Sequence, residues 1–177
     1  MKKIYFLLIL PLVFAISCVR QESLTSYSVE ITPNMIDNYL KKEFPIEKKL
    51  KIGKLILKDP EAQIEQKEDK VKLGTTIVLK LPFVSKQTGK VYISGKVAFN
   101  QKTKELYLVN PSIEKLVLNN SNILKYLPSE GKQMISDVVK EVLSQVAIYK
   151  VDDKSITGKL VKDIKIQNGK LLITFGL

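Results

Sequence analysis

The stretch that decides the fold is Val71-Lys72-Leu73-Gly74-Thr75-Thr76-Ile77-Val78-Leu79-Lys80-Leu81-Pro82-Phe83. Val71, Leu73, Thr75, Ile77, Leu79, Leu81 and Phe83 alternate with Lys72, Gly74, Thr76, Val78 and Lys80. That period of two is the signature of a strand with one face on a core and the other toward water. The pattern recurs on both sides. Val91, Ile93, Gly95, Val97 and Phe99 repeat it after a turn at Gln87-Thr88-Gly89-Lys90, and Leu106 and Leu108 open a third run after Gln101-Lys102-Thr103-Lys104. This third run extends toward Leu118 with a bend at Asn110-Pro111. Upstream, Lys51 to Glu65 reads as a first strand interrupted at Asp59-Pro60, with Glu68-Asp69 turning it into the next. Long strands joined by short polar turns predict an antiparallel meander. Pro60, Pro82 and Pro111 should mark bulges or edges, because proline donates nothing to a ladder. Gly74 and Gly95 should allow strong local curvature.

Helical spacing brackets the meander. Ser28 to Ile31 opens a strand, and Thr32-Pro33 then reads as an N-cap followed by proline at the first helical position. Met35, Ile36, Tyr39 and Leu40 share one face of a helix that ends at Phe44-Pro45. After Pro128-Ser129-Glu130, Met134, Ile135, Val138, Val139, Val142, Leu143, Val146 and Ala147 make a wide apolar face over about four turns. Ile148 to Val151 suggests a short strand and Ser155 to Val161 a short helix. Ile164-Lys165-Ile166, Asn168-Gly169 and Leu171 to Phe175 form a hairpin signal of the strongest short-range kind. The expected fold is α+β: a long, strongly curved antiparallel β-sheet meander wrapped around one long C-terminal helix. A short N-terminal helix and a C-terminal β-hairpin complete it.

The first residues read as a targeting segment. Met1-Lys2-Lys3 is followed by an apolar run from Ile4 to Ile16, too short to span a bilayer, which needs roughly 18–20 residues. Cys18, the single cysteine, follows Ala15-Ile16-Ser17 directly. This arrangement resembles a bacterial lipobox, in which the cysteine is lipidated with acyl chains of the palmitate type and becomes the mature N-terminus. The alternative is a soluble exported protein cut near Ser17 with Cys18 a free thiol. The organisation expected is a lipoprotein signal peptide over 1–17, a lipidated tether over 18–26 and one α+β domain over 27–177. A single acyl chain binds a membrane reversibly, whereas two or more anchor it. Val19 is not the Asp that retains enterobacteria-like lipoproteins at the inner membrane, so outer-membrane residence facing the periplasm is expected.

Composition then narrows the chemistry. Of 177 residues, 29 are Lys or Arg and 18 Asp or Glu, with no His. Without His, no Ser-His-Asp or Cys-His nucleophile system and no imidazole metal site can be built. Arg20 is the only arginine among those 29, and specific nucleic-acid readers favour the planar arginine fork, so no nucleic-acid partner is expected. Asp152-Asp153 and Glu68-Asp69 are the paired acids, and at turns they lack the burial that tunes a general acid. Asp152-Asp153-Lys154-Ser155 lacks the spacing of a Ca²⁺ loop. No enzyme activity, metal or cofactor is expected beyond the covalent lipid on Cys18. Lys41-Lys42, Lys48-Lys49, Lys51 and Lys54 suggest either a membrane-facing basic patch or lysine as the default polar residue.

A lipobox, the Tyr27 to Thr32 entry into a short helix, a meander, a long helix, an Ala147-Ile148-Tyr149-Lys150-Val151 exit and a last hairpin together resemble the YceB-type envelope lipoproteins. That resemblance implies a domain without assigned activity, similar in fold to half of the tubular lipid-binding (TULIP) superfamily. It transfers one residue role, lipidation of Cys18. The helix face Met134, Ile135, Val138, Val139, Val142 and Val146 is the candidate ligand-binding surface for a lipid or other hydrophobic molecule held between helix and sheet. The other readings of this stripe are ordinary core and, for the whole protein, a non-enzymatic envelope adaptor or structural lipoprotein that docks onto another membrane protein.

Overall fold

The computed structural model describes residues 26–51, 53–82, 85–118, 129–152 and 154–176, and every structural statement below concerns these residues. The signal peptide and tether expected at the N-terminus, Cys18 included, lie outside them, as do Phe83 and Asp153. In chain order the elements are β1 (Tyr27–Ile31), α1 (Pro33–Glu43), β2 (Ile46–Leu50), β3 (Gly53–Glu65), β4 (Lys70–Lys80), β5 (Gln87–Asn100) and β6 (Glu105–Leu118). They continue with α2 (Ser129–Gln145), β7 (Ala147–Lys150), a 3-10 turn at Lys154–Ile156, β8 (Leu160–Gln167) and β9 (Lys170–Gly176).

The long alternating runs become neighbouring strands of one six-stranded antiparallel sheet, ordered β2-β3-β4-β5-β6-β7. In β4, Val71, Leu73, Thr75, Ile77 and Leu79 are all buried on the core side. The strand stops at Lys80, ahead of Pro82, which sits in the following turn. Pro60 and Pro111 lie at bulges, where the register shifts between Lys58 and Glu61 and between Ser94 and Lys96. Each follows a residue with positive φ, Asp59 at 51° and Asn110 at 46°, the left-handed step that an inserted bulge residue takes and that Asp and Asn tolerate. The first bulge frees the Lys58 carbonyl, and the buried Thr75 hydroxyl donates to it at 2.7 Å. A threonine on an otherwise aliphatic face is thereby satisfied.

The expected wrapping of a curved sheet around one long C-terminal helix is not what forms. The fold is dominated by strand: nine strands stand against two α-helices among the described residues, and the strands make two sheets. Tyr27–Ile31 does not extend the meander. It pairs with β9, which pairs with β8, giving a separate three-stranded sheet β1-β9-β8. The N-terminal strand thus closes on the C-terminal hairpin, a pairing across almost the whole chain that no local pattern announces. Ile46–Leu50 is a further strand of the main sheet, pairing with the start of β3. The expected short helix at Ser155–Val161 is a 3-10 turn leading into β8.

The two helices share the work of closing the core. α1 packs on β3 and β7, and α2 packs on β6. Thr32 caps α1 as the sequence implies, its hydroxyl accepting from the Met35 N–H at 3.4 Å with Pro33 at the first position. Asp37 on α1 accepts from the Ala62 N–H of β3 at 2.6 Å. β2 pairs only with β3 residues up to Leu57, so this carboxylate supplies a partner to a ladder donor that would otherwise face the helix unpaired. Ile36 and Leu40 of α1, Ile135, Val139 and Leu143 of α2, and Ile31, Leu171, Ile173 and Phe175 of the small sheet join the β3–β6 interior in one continuous core. Phe99 and Phe175 meet edge-on at 5.4 Å between centroids and tie the two sheets together.

Candidate functional site

The helix face singled out as a ligand surface is placed against the core. Val139 is fully buried, Ile135 and Leu143 are nearly so, and Val142 is 7% exposed. Val138 and Val146 are half-buried and pack against the same core, and Met134 is half-buried beside them. The helix is pinned at its flank by Lys48 of β2, whose ammonium lies 3.1 Å from Glu141. The deeper row of the six residues therefore meets neighbouring side chains, while the row Met134, Val138, Val146 keeps partial access to solvent.

The sequence-level acids and lysines disperse. Glu68 pairs with Lys70 at 3.1 Å at the β3–β4 turn, where Asp69 takes φ 51°. Asp152 is exposed, and its charge raises the Tyr149 phenol above its ordinary value after burial has done most of that work. Lys41 and Lys42 close α1, Lys48 is spent on Glu141, and Lys54 is spent on Glu47 at 2.6 Å. Among the described residues no group of three metal-ligating side chains converges, and no helix is long and apolar enough to cross a membrane.

Three of the concavities among the described residues are built at the α1 ends and on the outer sheet face instead. The first, of about 400 Å³, lies between α1 and β7 and is lined by Met35, Tyr39, Lys42, Tyr149 and Asp152 among others. Tyr39 and Tyr149 stand 5.9 Å apart there, and burial lifts the Tyr39 phenol, with Glu43 and Glu105 adding to it. Nearby, Tyr107 donates to Glu105 at 2.5 Å, a bond that holds that carboxylate below its usual range.

The second, of about 600 Å³, opens where the end of α1 meets the β3 bulge, against Lys41, Phe44, Pro45, Asp59, Pro60 and Lys90. The third, of about 400 Å³, lies on the sheet face turned away from the helices, over Thr76, Thr88, Lys90, Tyr92, Lys115 and Val117. Strand register places these side chains together: Thr76 opposes Lys90, Lys90 opposes Val117, and Tyr92 opposes both Gly74 and Lys115. Gly74 is needed because a Cβ there would stand 3.0 Å from the Tyr92 ring, which lies across β4. The second and third cavities share Thr76 and Lys90, so they form one groove running around the β3 bulge.

Charge is distributed unevenly on this outer face. Toward the β3–β4 turn it is self-neutralised: Lys72 sits between Glu65 at 2.9 Å and Glu114 at 3.0 Å. Hydrogen bonds to the two carboxylates raise the Lys72 pKa, while Ser94 and Lys72 lower that of Glu114. Toward the other end, Lys90 and Lys115 are exposed and make neither ion pair nor hydrogen bond among the described residues. Lys58 depresses the Asp59 carboxyl, with smaller contributions from Thr76 and then Lys90, and Lys58 pairs with it at 3.0 Å. Sequence reading missed this site. Its members come from three strands, and alternation alone marks them only as solvent-facing.

Comparison with curated proteins finds no match. A family model described as a protein of unknown function (DUF1439) matches residues 31–170, which takes in α1, all of the six-stranded sheet, α2 and β8. The chain belongs to that family.

Proposed function

We propose that the protein is an envelope lipoprotein of the YceB type, acylated at Cys18, whose folded domain works by binding and not by catalysis. In this reading it sits at the outer membrane, faces the periplasm and docks onto another envelope protein. The observation that supports docking over interior ligand binding is the burial of α2: Val139 at 0% and Leu143 at 1% exposure lie within the core cluster. A domain whose core is filled by its own side chains offers partners its surface. The exposed apolar residues Val109 and Val117 both lie on β6 and give such a surface an apolar component.

A second reading retains a lipid at the helix–sheet seam, favoured by the half-buried row Met134, Val138 and Val146. One experiment separates the two. The full-length chain is extracted from membranes and its non-covalent lipid measured by native mass spectrometry, alongside photo-crosslinking from position 117. A crosslinked envelope protein with no stoichiometric non-covalent lipid supports docking; bound lipid at one per chain, without a crosslinked partner, overturns it in favour of the seam. Metabolic labelling with an alkyne fatty acid, expected to be lost in Cys18→Ala, tests the anchor separately.

A further inference from the structure

The geometry points to the trough between Lys90 and Lys115 as a binding site for a phosphate-bearing ligand, with a less polar body continuing into the groove beside Phe44, Pro45 and Pro60. The proposal does not depend on the anchor or on a docking partner. Four observations carry it. Lys90 and Lys115 lie on adjacent strands across the register pairs Lys90–Val117 and Tyr92–Lys115, so their ammonium groups flank one spot from two sides. Neither has an ion pair among the described residues, whereas Lys54, Lys58, Lys70 and Lys72 each have a carboxylate within 3.1 Å; Lys80, opposite Lys54, is likewise without one, and Lys90 acts at longer range on Asp59. Between them lies a concavity of about 400 Å³ rather than a flat sheet surface. Small-molecule sites typically measure about 300–1,000 Å³, which admits a headgroup-sized anion here.

The fourth observation concerns the lining. Thr76 and Thr88 lie on the same outer face, the one opposing Lys90 with its hydroxyl toward the Asp59 carboxylate, the other one pleat further along β5. A hydroxyl adds a neutral hydrogen bond to a phosphate oxygen, weaker than the charge-assisted one an ammonium gives, and two lysines are point charges that suit a tetrahedral anion from different directions. Tyr92 supplies a flat apolar floor, held down over Gly74. Through Thr76 and Lys90 the trough joins the larger cavity of about 600 Å³, whose Phe44, Pro45 and Pro60 offer apolar surface for the rest of the ligand. Three carboxylates line that cavity: Asp37 accepts from Ala62, Asp59 pairs with Lys58, and Glu61 makes neither ion pair nor side-chain hydrogen bond among the described residues.

The test uses the full-length chain in nanodiscs of phosphatidylcholine, with Lys side-chain resonances followed by NMR during titration with inorganic phosphate and, separately, with soluble dihexanoyl phosphatidylglycerol. Both probes should shift Lys90 and Lys115 saturably. The double variant Lys90→Gln/Lys115→Gln should weaken binding by about tenfold, the size expected from removing two exposed charge-assisted contacts. The equally charge-reduced Lys67→Gln/Lys102→Gln, in turns at the other end of the sheet, should bind as the parent does. Tighter binding of the lipid than of phosphate assigns the source to a membrane headgroup; equal or weaker binding assigns it to a free phosphate ester. Equal losses in the two double variants, or no saturable shift with either probe, would overturn the site. So would binding of a poly-glutamate peptide at these lysines with no response to phosphate, which would make it an acidic-protein contact.

Discussion

If α2 closes the core with its own side chains, then Val139→Ala should open a hole that nothing fills. Val139 is 0% exposed and belongs to the continuous core. Removing two methyl groups forfeits about 1.6 kcal/mol at ~0.8 kcal/mol per apolar carbon. A residual cavity adds to this, because a packed core relaxes only partly, bringing the loss to about 2–3 kcal/mol. Val138→Ala deletes the same atoms one position earlier on the helix, where the side chain is half-buried, and should cost about 1 kcal/mol. The assay is urea unfolding of the full-length chain in detergent, followed by far-UV circular dichroism, with the slope checked for constancy so that the midpoint shift reports stability. Val142→Trp completes the set: in a filled seam the indole must displace packed neighbours and costs about 2 kcal/mol or more. A loss below about 0.5 kcal/mol for Val139→Ala, together with an easily accepted Val142→Trp, would refute the argument and show an open slot beside α2.

Three further outcomes follow from the geometry. Asp37→Ala leaves the Ala62 N–H without its acceptor and should cost about 1–2 kcal/mol, with faster amide exchange at Ala62, whereas Asp37→Asn keeps a carbonyl acceptor and should cost less. Gly89→Ala would drive its Cβ into the Val117 carbonyl and the Leu118 backbone, so β5 and β6 must separate there; a loss of about 3 kcal/mol or failure to fold is expected on expression and thermal melting. The Glu114 pKa is held below its ordinary 4.5, first by Ser94 and then by Lys72. A depressed carboxyl contributes stability that is fully present above pH 4.5 and disappears as pH falls through the folded value, so melting temperature should drop across that acidic window, and Glu114→Gln should flatten the drop.

Much of the fold is legible locally because sheets and helices impose different periods on the same chain. Val71 to Leu79, Val91 to Phe99 and Leu106 to Leu108 declare strands by alternation, and Thr32-Pro33 and Asn168-Gly169 declare a helix start and a hairpin turn. Asp59-Pro60 and Asn110-Pro111 declare their bulges because proline cannot donate. What alternation cannot state is the partner. Ile46–Leu50 carries only two apolar residues, Ile46 and Leu50, and it becomes a strand because the edge of β3 is there to receive it. Lys90 and Lys115 look like any solvent-facing lysines until the register sets them diagonally across a concave face.

Taken alone, the sequence determined the long strands of the meander, the two α-helices, the last hairpin and the bulges at Pro60 and Pro111, and that Cys18 stands at a lipobox-like edge. Those features depend on residues within a few positions of one another, through backbone sterics, missing donors and side-chain period. The tertiary structure alone decided that β1 pairs with β9, 140 residues away, to make a second sheet, and that two helices, not one, close the core. It also decided that the deeper row of the α2 stripe is buried in the core and that Lys90 and Lys115 meet on the sheet's other face. The physical reason is common to all four. Burial and charge pairing depend on which distant surfaces meet, and one chain's local pattern is compatible with many such meetings.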